Sequence, residues 1–308
     1  MRRIAAAGVL LAAWWICGSA LAQQPKQVWR TLRQAGAHAL VLETAWGGSG
    51  PDAAGAVTLL AGKRRTRLAR GGFFRTDVAT RGNHALVAVA SGGAQRRIVL
   101  ALVSIAEDGT AEKPRLVEVP SPGGDRGTPT AIIACADPAG FTVLWQELTS
   151  AQSRDAVTFL ARIDPSGRWL VRPKQVPVPW SLGAIVHHQG GYHLAIFFDG
   201  ASPDQTRLCT VRLTAAGQPR EHPWWSSAPQ LIDEVQLLSS GGRVHAYFLG
   251  GPDGATLKST DLTDVRQWGH QPPAAQSHGK LGADQEFTLR PAANGTPEIV
   301  RKRLSVRR

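Results

Sequence analysis

The chain has 308 residues, 43% of them hydrophobic and 19% charged, which suffices for a buried core and excludes a charge-rich disordered chain. Its 35 Lys and Arg against 23 Asp and Glu give a formal net charge of +12, and its three cysteines exclude a densely disulfide-linked scaffold. Thirty-three glycines and 20 prolines are spread along it and leave little room for 3.6-residue apolar stripes, which argues against a helical bundle.

Residues 1–22, "MRRIAAAGVLLAAWWICGSALA", have the parts of a secretory signal peptide: Arg2 and Arg3, an apolar stretch from Ile4 to Cys17, and a small-x-small cleavage site at Ala20-Leu21-Ala22. The apolar stretch is too short to span a bilayer, and no later segment offers the roughly 20 apolar residues that a crossing needs. Cys17 follows Trp14, Trp15 and Ile16, unlike the approach to a lipidated cysteine. The mature chain, residues 23–308, is therefore expected in the periplasm or outside the cell as one domain, and the Ala-rich leader points to a bacterium. Its remaining cysteines, Cys135 in "AIIACAD" and Cys209 in "TRLCTVRL", fit two buried thiols acting as small hydrophobes or one bridge.

Beyond the leader one word recurs. "HALV" stands at 38–41 and 84–87, with looser forms "HLAI" at 193–196 and "HAYF" at 245–248. The apolar residues leading into each unit, Val28, Val78, Ile132, Ile185, Val235 and Phe287, are spaced 50, 54, 53, 50 and 52 residues apart. That regularity is a repeat architecture, with units starting near 27, 77, 131, 184, 234 and 286. The second unit shows the grammar in full: "RTDVAT", the turn "RGN", "HALVAVAS", the turn "GGAQ", "RRIVLALVSI", the hairpin "AEDGT", then "PRLVEVP". Four strands per unit make a propeller blade, so the fold is predicted to be an all-β propeller of four-stranded antiparallel blades. The last unit has room for two strands, which fits six blades with a short final one, or five with the chain ends sharing a blade.

The recurring histidines, His38, His84, His193 and His245, open the second strand of their units, where an imidazole satisfies turn backbone. Equivalent positions in different blades lie around a ring and do not converge on one metal ion. A ligand site is expected instead at the channel mouth, where the first strands begin: Asp77, Asp233, Glu234, Asp284 and Glu286, with Arg75 and Arg81 nearby. Clustered carboxylates there suit Ca²⁺, an acid/base pair, or simply turn and cap roles. The adjacent Trp224 and Trp225 cannot both face one interior, which leaves one for stacking on a sugar or partner.

Without the leader, 33 basic residues face 23 acidic ones, a formal charge of +10. The excess gathers in Lys63, Arg64, Arg65, Arg67 and Arg70, and again in Arg301, Lys302 and Arg303. An exported basic surface suits a protein or an anionic glycan of the cell envelope; export and the lack of a recognition module argue against nucleic acid.

The segment "LKSTDLTDVRQWG", residues 257–269, resembles the Asp-box of sialidase-like propellers, with Ser259, Asp261 and Trp268 matching, although the turn glycine is missing and Trp268 lies further on. In that family the Asp-box occupies the hairpin between third and fourth strands, away from the active site. The resemblance thus implies a blade, not catalysis. A sialidase would also need three arginines on a carboxylate, a Tyr activated by a Glu, and an Asp acid. Tyr192 and Tyr247, the two tyrosines of the chain, both belong to second strands, off the axis. The expected function is a binding or scaffold module, with a sialidase-like or related glycosidase using channel carboxylates as the alternative.

Overall fold

Short apolar runs rich in β-branched residues fold here as strands, each completed by the neighbour that takes its backbone hydrogen bonds. The computed structural model describes residues 27–46, 55–70, 74–92, 97–120, 128–148, 156–178, 181–198, 206–220, 224–225, 232–251, 255–263, 275–282, 285–290 and 298–303. The segment read as a signal peptide lies outside them. Among the described residues no helix is long and apolar enough to cross a membrane.

Blade 1 is β1 (Gln27–Ala35), β2 (His38–Trp46), β3 (Ala56–Ala61) and β4 (Arg64–Arg70); blade 2 is β5 (Phe74–Arg81), β6 (His84–Ser91), β7 (Arg97–Ser104) and β8 (Arg115–Val119). Blade 3 is β9 (Thr128–Asp137), β10 (Gly140–Leu148), β11 (Ala156–Ile163) and β12 (Trp169–Val176). Blade 4 is β13 (Ser181–His188), β14 (Gly191–Phe198), β15 (Arg207–Thr214) and β16 (Trp224–Trp225); blade 5 is β17 (Ile232–Ser240), β18 (Arg243–Gly250), β19 (Thr256–Asp261) and β20 (Gln276–Lys280). A two-stranded sheet of β21 (Gln285–Arg290) and β22 (Glu298–Arg303) completes the ring. The first strands touch in sequence, β1 to β5, β9, β13, β17 and β21, and β21 returns to β1. Among the described strands β1 and β21 belong to separate sheets, so β1 is not part of the last unit's sheet.

The core lies between blades. β6 is buried on both faces after its first residue, since each side of a middle strand is covered by an adjoining sheet. Leu40, Leu42, Val57 and Leu59 of blade 1 meet Val78, Val87 and Val89 of blade 2. Trp145, fully buried, stacks on Phe159 at 5.6 Å and fills the seam toward blade 2. Tyr192, Leu194 and Ile196 fill the seam between blades 3 and 4, and Phe248 with Val244 that between 4 and 5. Cys135 and Cys209 are buried in the third seam and form no disulfide.

A second device fastens neighbours near the rim. The hairpin between the third and fourth strands of one blade leans on the blade before it. Arg64 donates to Ala111 O of blade 2 at 2.9 Å, Arg115 to Ser166 O of blade 3, and Arg212 to Thr263 O of blade 5 at 2.5 Å. Aspartates shape these hairpins: Asp108 accepts from the Thr110 amide and hydroxyl, Asp164 from Ser166 and Arg168, and Asp261 from the Thr263 amide. Ser259 and Asp261, the start of the Asp-box-like segment, therefore sit on β19 and at its turn; Trp268 lies outside the described residues. Of the recurring histidines, His193 is buried and His84 exposed, and His38 receives Gly109 of the next blade.

Gly109 has φ +81°, and a Cβ added there would lie 2.6 Å from His38 Nδ1. Gly109→Ala is expected to lose about 2 to 3 kcal/mol, from left-handed strain plus this clash. Gly82→Ala, at φ +54° with nothing within 4 Å, should lose only about 1 kcal/mol. Urea unfolding of the two variants measures the difference.

Candidate functional site

The first strands surround a cavity of about 380 Å³ on the ring axis, with lining residues from all six sheets. β5 carries Asp77 to its wall. Asp77 Oδ1 accepts from the Val78 amide at 2.8 Å and from Arg33 Nη2 at 3.3 Å, and Oδ2 accepts from the Ala134 amide at 2.8 Å. Burial pushes the Asp77 carboxyl above the ordinary range, against the pull of Arg33 and the two amides.

Arg33 comes from β1, and its Nη1 lies 3.7 Å from Glu234 Oε1 on β17. Glu234 Oε1 also accepts from Gln236 Nε2 at 2.8 Å, and the same nitrogen donates to Phe287 O at 3.0 Å. One line of polar contacts thus crosses the channel from blade 3 through blades 2, 1 and 5 to the two-stranded sheet. Arg33, Asp77 and Glu234 are 19%, 16% and 27% exposed, so the ion pairs are partly shielded from water.

Further along the channel, Asp137 ends β9 with a side chain fully out of solvent. It accepts from the amides of Ala139 and Gly140, from Thr142 Oγ1 at 2.9 Å, from Arg162 Nη2 at 2.9 Å, and from the Tyr192 hydroxyl at 3.3 Å. Burial would raise its pKa, but Arg162, the Ala139 amide and Thr142 outweigh it and hold the carboxyl at about 2. Tyr192, whose hydroxyl also lies 2.8 Å from Thr142 Oγ1, is pushed up to about 12, chiefly by burial. Tyr247 is buried against His278. Neither tyrosine lines the channel cavity.

Across the seam from blade 4 to blade 5, His188 Nδ1 lies 2.8 Å from Ser239 Oγ. The buried His193 beside it is lowered to about 4 by burial, with Arg212 and His188 adding to the effect.

The other candidate residues are scattered. Arg75 is exposed on β5, and Arg81 ends that strand and donates to Pro138 O at 2.5 Å. Glu286 is half-buried on β21. Asp233 lies on β17 with its side chain outside the described residues, and Asp284 lies outside them altogether. Trp224 and Trp225 form β16, pairing with Thr210 and Cys209, and their side chains are likewise not described. Among the described residues no group of three His, Cys, Asp or Glu side chains converges as a metal site would require. At the channel Asp77 and Glu234 already share one cation, the Arg33 guanidinium.

Sequence reasoning missed Arg33, Asp137 and Gln236. A signal for Arg33 existed: counted back from the turn, its equivalents in the next four first strands are Ala79, Cys135, Val186 and Leu238. A lone arginine among small and apolar residues at one register position marks a special role.

No protein-family model and no curated protein sequence matches this chain. Among solved structures it is similar to the parainfluenza virus 5 hemagglutinin-neuraminidase ectodomain, with 12% identity and a TM-score of 0.46 over 70% of this chain and 58% of that one. It is also similar to xylan β-1,4-xylosidase from Bacillus halodurans C-125, with 13% identity and a TM-score of 0.46 over 74% of this chain and 48% of that one. A GH43_1 enzyme from Xanthomonas citri, complexed with xylotriose, gives 12% identity and a TM-score of 0.45 over 70% of this chain and 76% of that one. The chain spans about half to three-fifths of the first two. None of these proteins is close enough to carry its chemistry over.

The two carboxylate clusters predict penalties that fade in acid. Asp137 has a depressed pKa, so its stabilisation is present above about pH 4 and is lost as pH falls toward 2. Asp137→Asn should cost about 2 kcal/mol at pH 7 and little at pH 2. Arg33→Met leaves Asp77 and Glu234 without their cation, and the Asp77 carboxyl, relieved of the pull of Arg33, rises further under burial. Its penalty, about 2 kcal/mol at pH 7, should shrink as pH falls and the Asp77 carboxyl takes up its proton. Denaturant unfolding across pH reads both.

Proposed function

We propose that this chain is a non-catalytic binding module, an exported bacterial propeller that recognises a protein or an anionic glycan of the cell envelope through its channel face and basic edge. The observation that supports this reading is the clamp of Arg33 on Asp77 and Glu234. Glycoside hydrolysis needs one carboxyl group free to give up a proton and a second free to attack or to activate water. Both oxygens of Asp77 accept hydrogen bonds from backbone or Arg33, and Glu234 Oε1 faces Arg33 and Gln236. Asp137, at about 2, is no proton donor near neutral pH. A Ca²⁺ ion at this point would have to displace Arg33.

One feature supports the glycosidase alternative, the raised pKa of Asp77. Its elevation arises from burial in a wall where both oxygens are already engaged, the setting of a structural carboxyl rather than a proton donor to substrate.

The purified chain should release no aryl leaving group from a panel of aryl sialosides, xylosides and arabinosides beyond the level of its Asp77→Asn variant. Heparin and lipopolysaccharide should raise its melting temperature at about 0.01 M salt and cease to do so near 1 M, where screening shrinks to about 3 Å. Turnover that Asp77→Asn abolishes would overturn the binding reading in favour of the glycosidase.

A further inference from the structure

The complete blades share three register positions beside the turn between their first two strands: the last residue of the first strand, the third of the second, and that residue's partner on the third strand. Blade 1 fills them with Ala35, Leu40 and Ala61, and blade 2 with Arg81, Leu86 and Leu102. Blade 3 fills them with Asp137, Thr142 and Arg162, where the carboxylate accepts from both partners. Blade 4 has His188, His193 and Arg212 at the same places. An imidazole thus stands where the preceding blade keeps the carboxylate of its ion pair.

These groups face blade 5. His193 is 3% exposed, and its Nδ1 is buried without a hydrogen-bond partner. On β14 it shares a side with Ala195, part of the apolar group that joins blade 4 to Val235, Val244 and Phe248 of blade 5. The His188 ring lies 5.3 Å from it, and His188 reaches Ser239 across the seam. Arg212 stands opposite His193 on β15 and donates to Thr263 O of blade 5. His187 turns the other way, against Tyr192. From blade 5, Lys258 belongs to the facing side, opposite Phe248, whereas Arg243, His245 and Asp261 belong to the side of Tyr247. Glu234 is held by Arg33 and Gln236, and the side chains of Glu221, Asp233 and Asp264 lie outside the described residues. The same seam borders the axial cavity, through Ala184 and Val186 of β13 and Val235, Leu237 and Ser239 of β17.

We propose that the seam between blades 4 and 5 is an acid-sensitive joint, in which proton uptake by His193 and His188 beside Arg212 parts the two blades and opens the axial cavity on that side. In the closed seam both imidazoles are neutral. A proton on His193 would put a cation, with no acceptor for its Nδ1, into an apolar contact next to a guanidinium. Parting the blades gives that proton water. Burial first, then Arg212 and His188, hold His193 at about 4, below its ordinary 6.5, and burial, Arg212 and His187 lower His188 in the same direction. The open seam therefore takes up protons at a higher pH than the closed one. The closed form is fully stable above about pH 6.5 and loses ground as pH falls toward 4. Asp137, held at about 2, keeps the matching positions of blade 3 paired through that range. The joint acts on whatever the cavity holds and does not depend on the binding-module reading.

The test is thiol accessibility in the Ala195→Cys variant of the full chain, with a dithiodipyridine reagent that reacts in acid. Ala195 is fully buried on the side of β14 that faces blade 5, and the native Cys209, on the same blade but buried toward blade 3, is the control. Each labelling rate, assigned by peptide mass spectrometry, is divided by that of the same thiol in the urea-unfolded chain at the same pH. Between pH 7 and pH 5 the relative rate at position 195 should rise about twentyfold from His193 alone, and that of Cys209 by less than about threefold. His193→Leu gives blade 4 the side chain that blades 1 and 2 have at this place, and His188→Asp gives Arg212 the carboxylate that Arg162 has. Each should cut the rise to below about fivefold. His188→Asp carries the test if the leucine variant does not fold. An equal rise at position 195 and Cys209 means general loosening in acid and overturns the proposal, as does no rise at position 195 or a rise that either folded variant keeps in full.

Discussion

A propeller blade has two apolar faces and no core of its own. Each sheet in this chain becomes stable only when the next sheet covers it, and the last must cover the first. This constraint explains why the β6 strand is buried on both faces and why Trp145, Phe141 and Tyr192 lie in seams rather than within a sheet. It also explains the rim contacts, where Arg64, Arg115 and Arg212 each fasten a carbonyl on the hairpin of the next blade. An arginine is suited to that place because its apolar stem lies along the seam while its head reaches a backbone acceptor.

Ring closure also explains the channel. Six first strands around one axis bring polar groups from distant parts of the chain close together, in a space too narrow for uncompensated charge. Arg33 resolves this for Asp77 and Glu234, and Arg162 does so for Asp137. The charged residues of this axis also hold its strands together. A cavity remains beside them, lined largely by small and apolar side chains such as Ala79, Ala134 and Ala184.

The closing sheet departs from this scheme. Two strands suffice to put Phe287 and Leu289 against Tyr247 and Leu257, and Leu32 with Val41 forms only a small apolar group on the opposite side. Beside that apolar group the same face of blade 1 carries charge, Arg30 and Glu43 on its inner strands and Arg65, Arg67 and Arg70 on its outermost one. Arginines at Arg65, Arg67 and Arg70 keep an uncovered blade face soluble, and charge on an exposed sheet also discourages indiscriminate pairing.

The sequence by itself determined the class of structure. A period of about 50 residues, strand-length apolar runs and turn chemistry such as Asp108-Gly109-Thr110 are local properties, and local backbone preferences enforce them wherever the segment lies. The alternatives for the short last unit were also legible, but only sheet pairing decided that β1 and β21 stay apart. Asp77 was recognisable as an acid beside the axis, whereas its partner Arg33 was not, because which side chains meet across a channel depends on the position of every strand between them. The basic runs were visible as composition, and the face on which β4 sets its arginines was not. One bulged residue in β4 chose the face, and closure of the ring, a relation between the two ends of the chain, chose what that face looks upon.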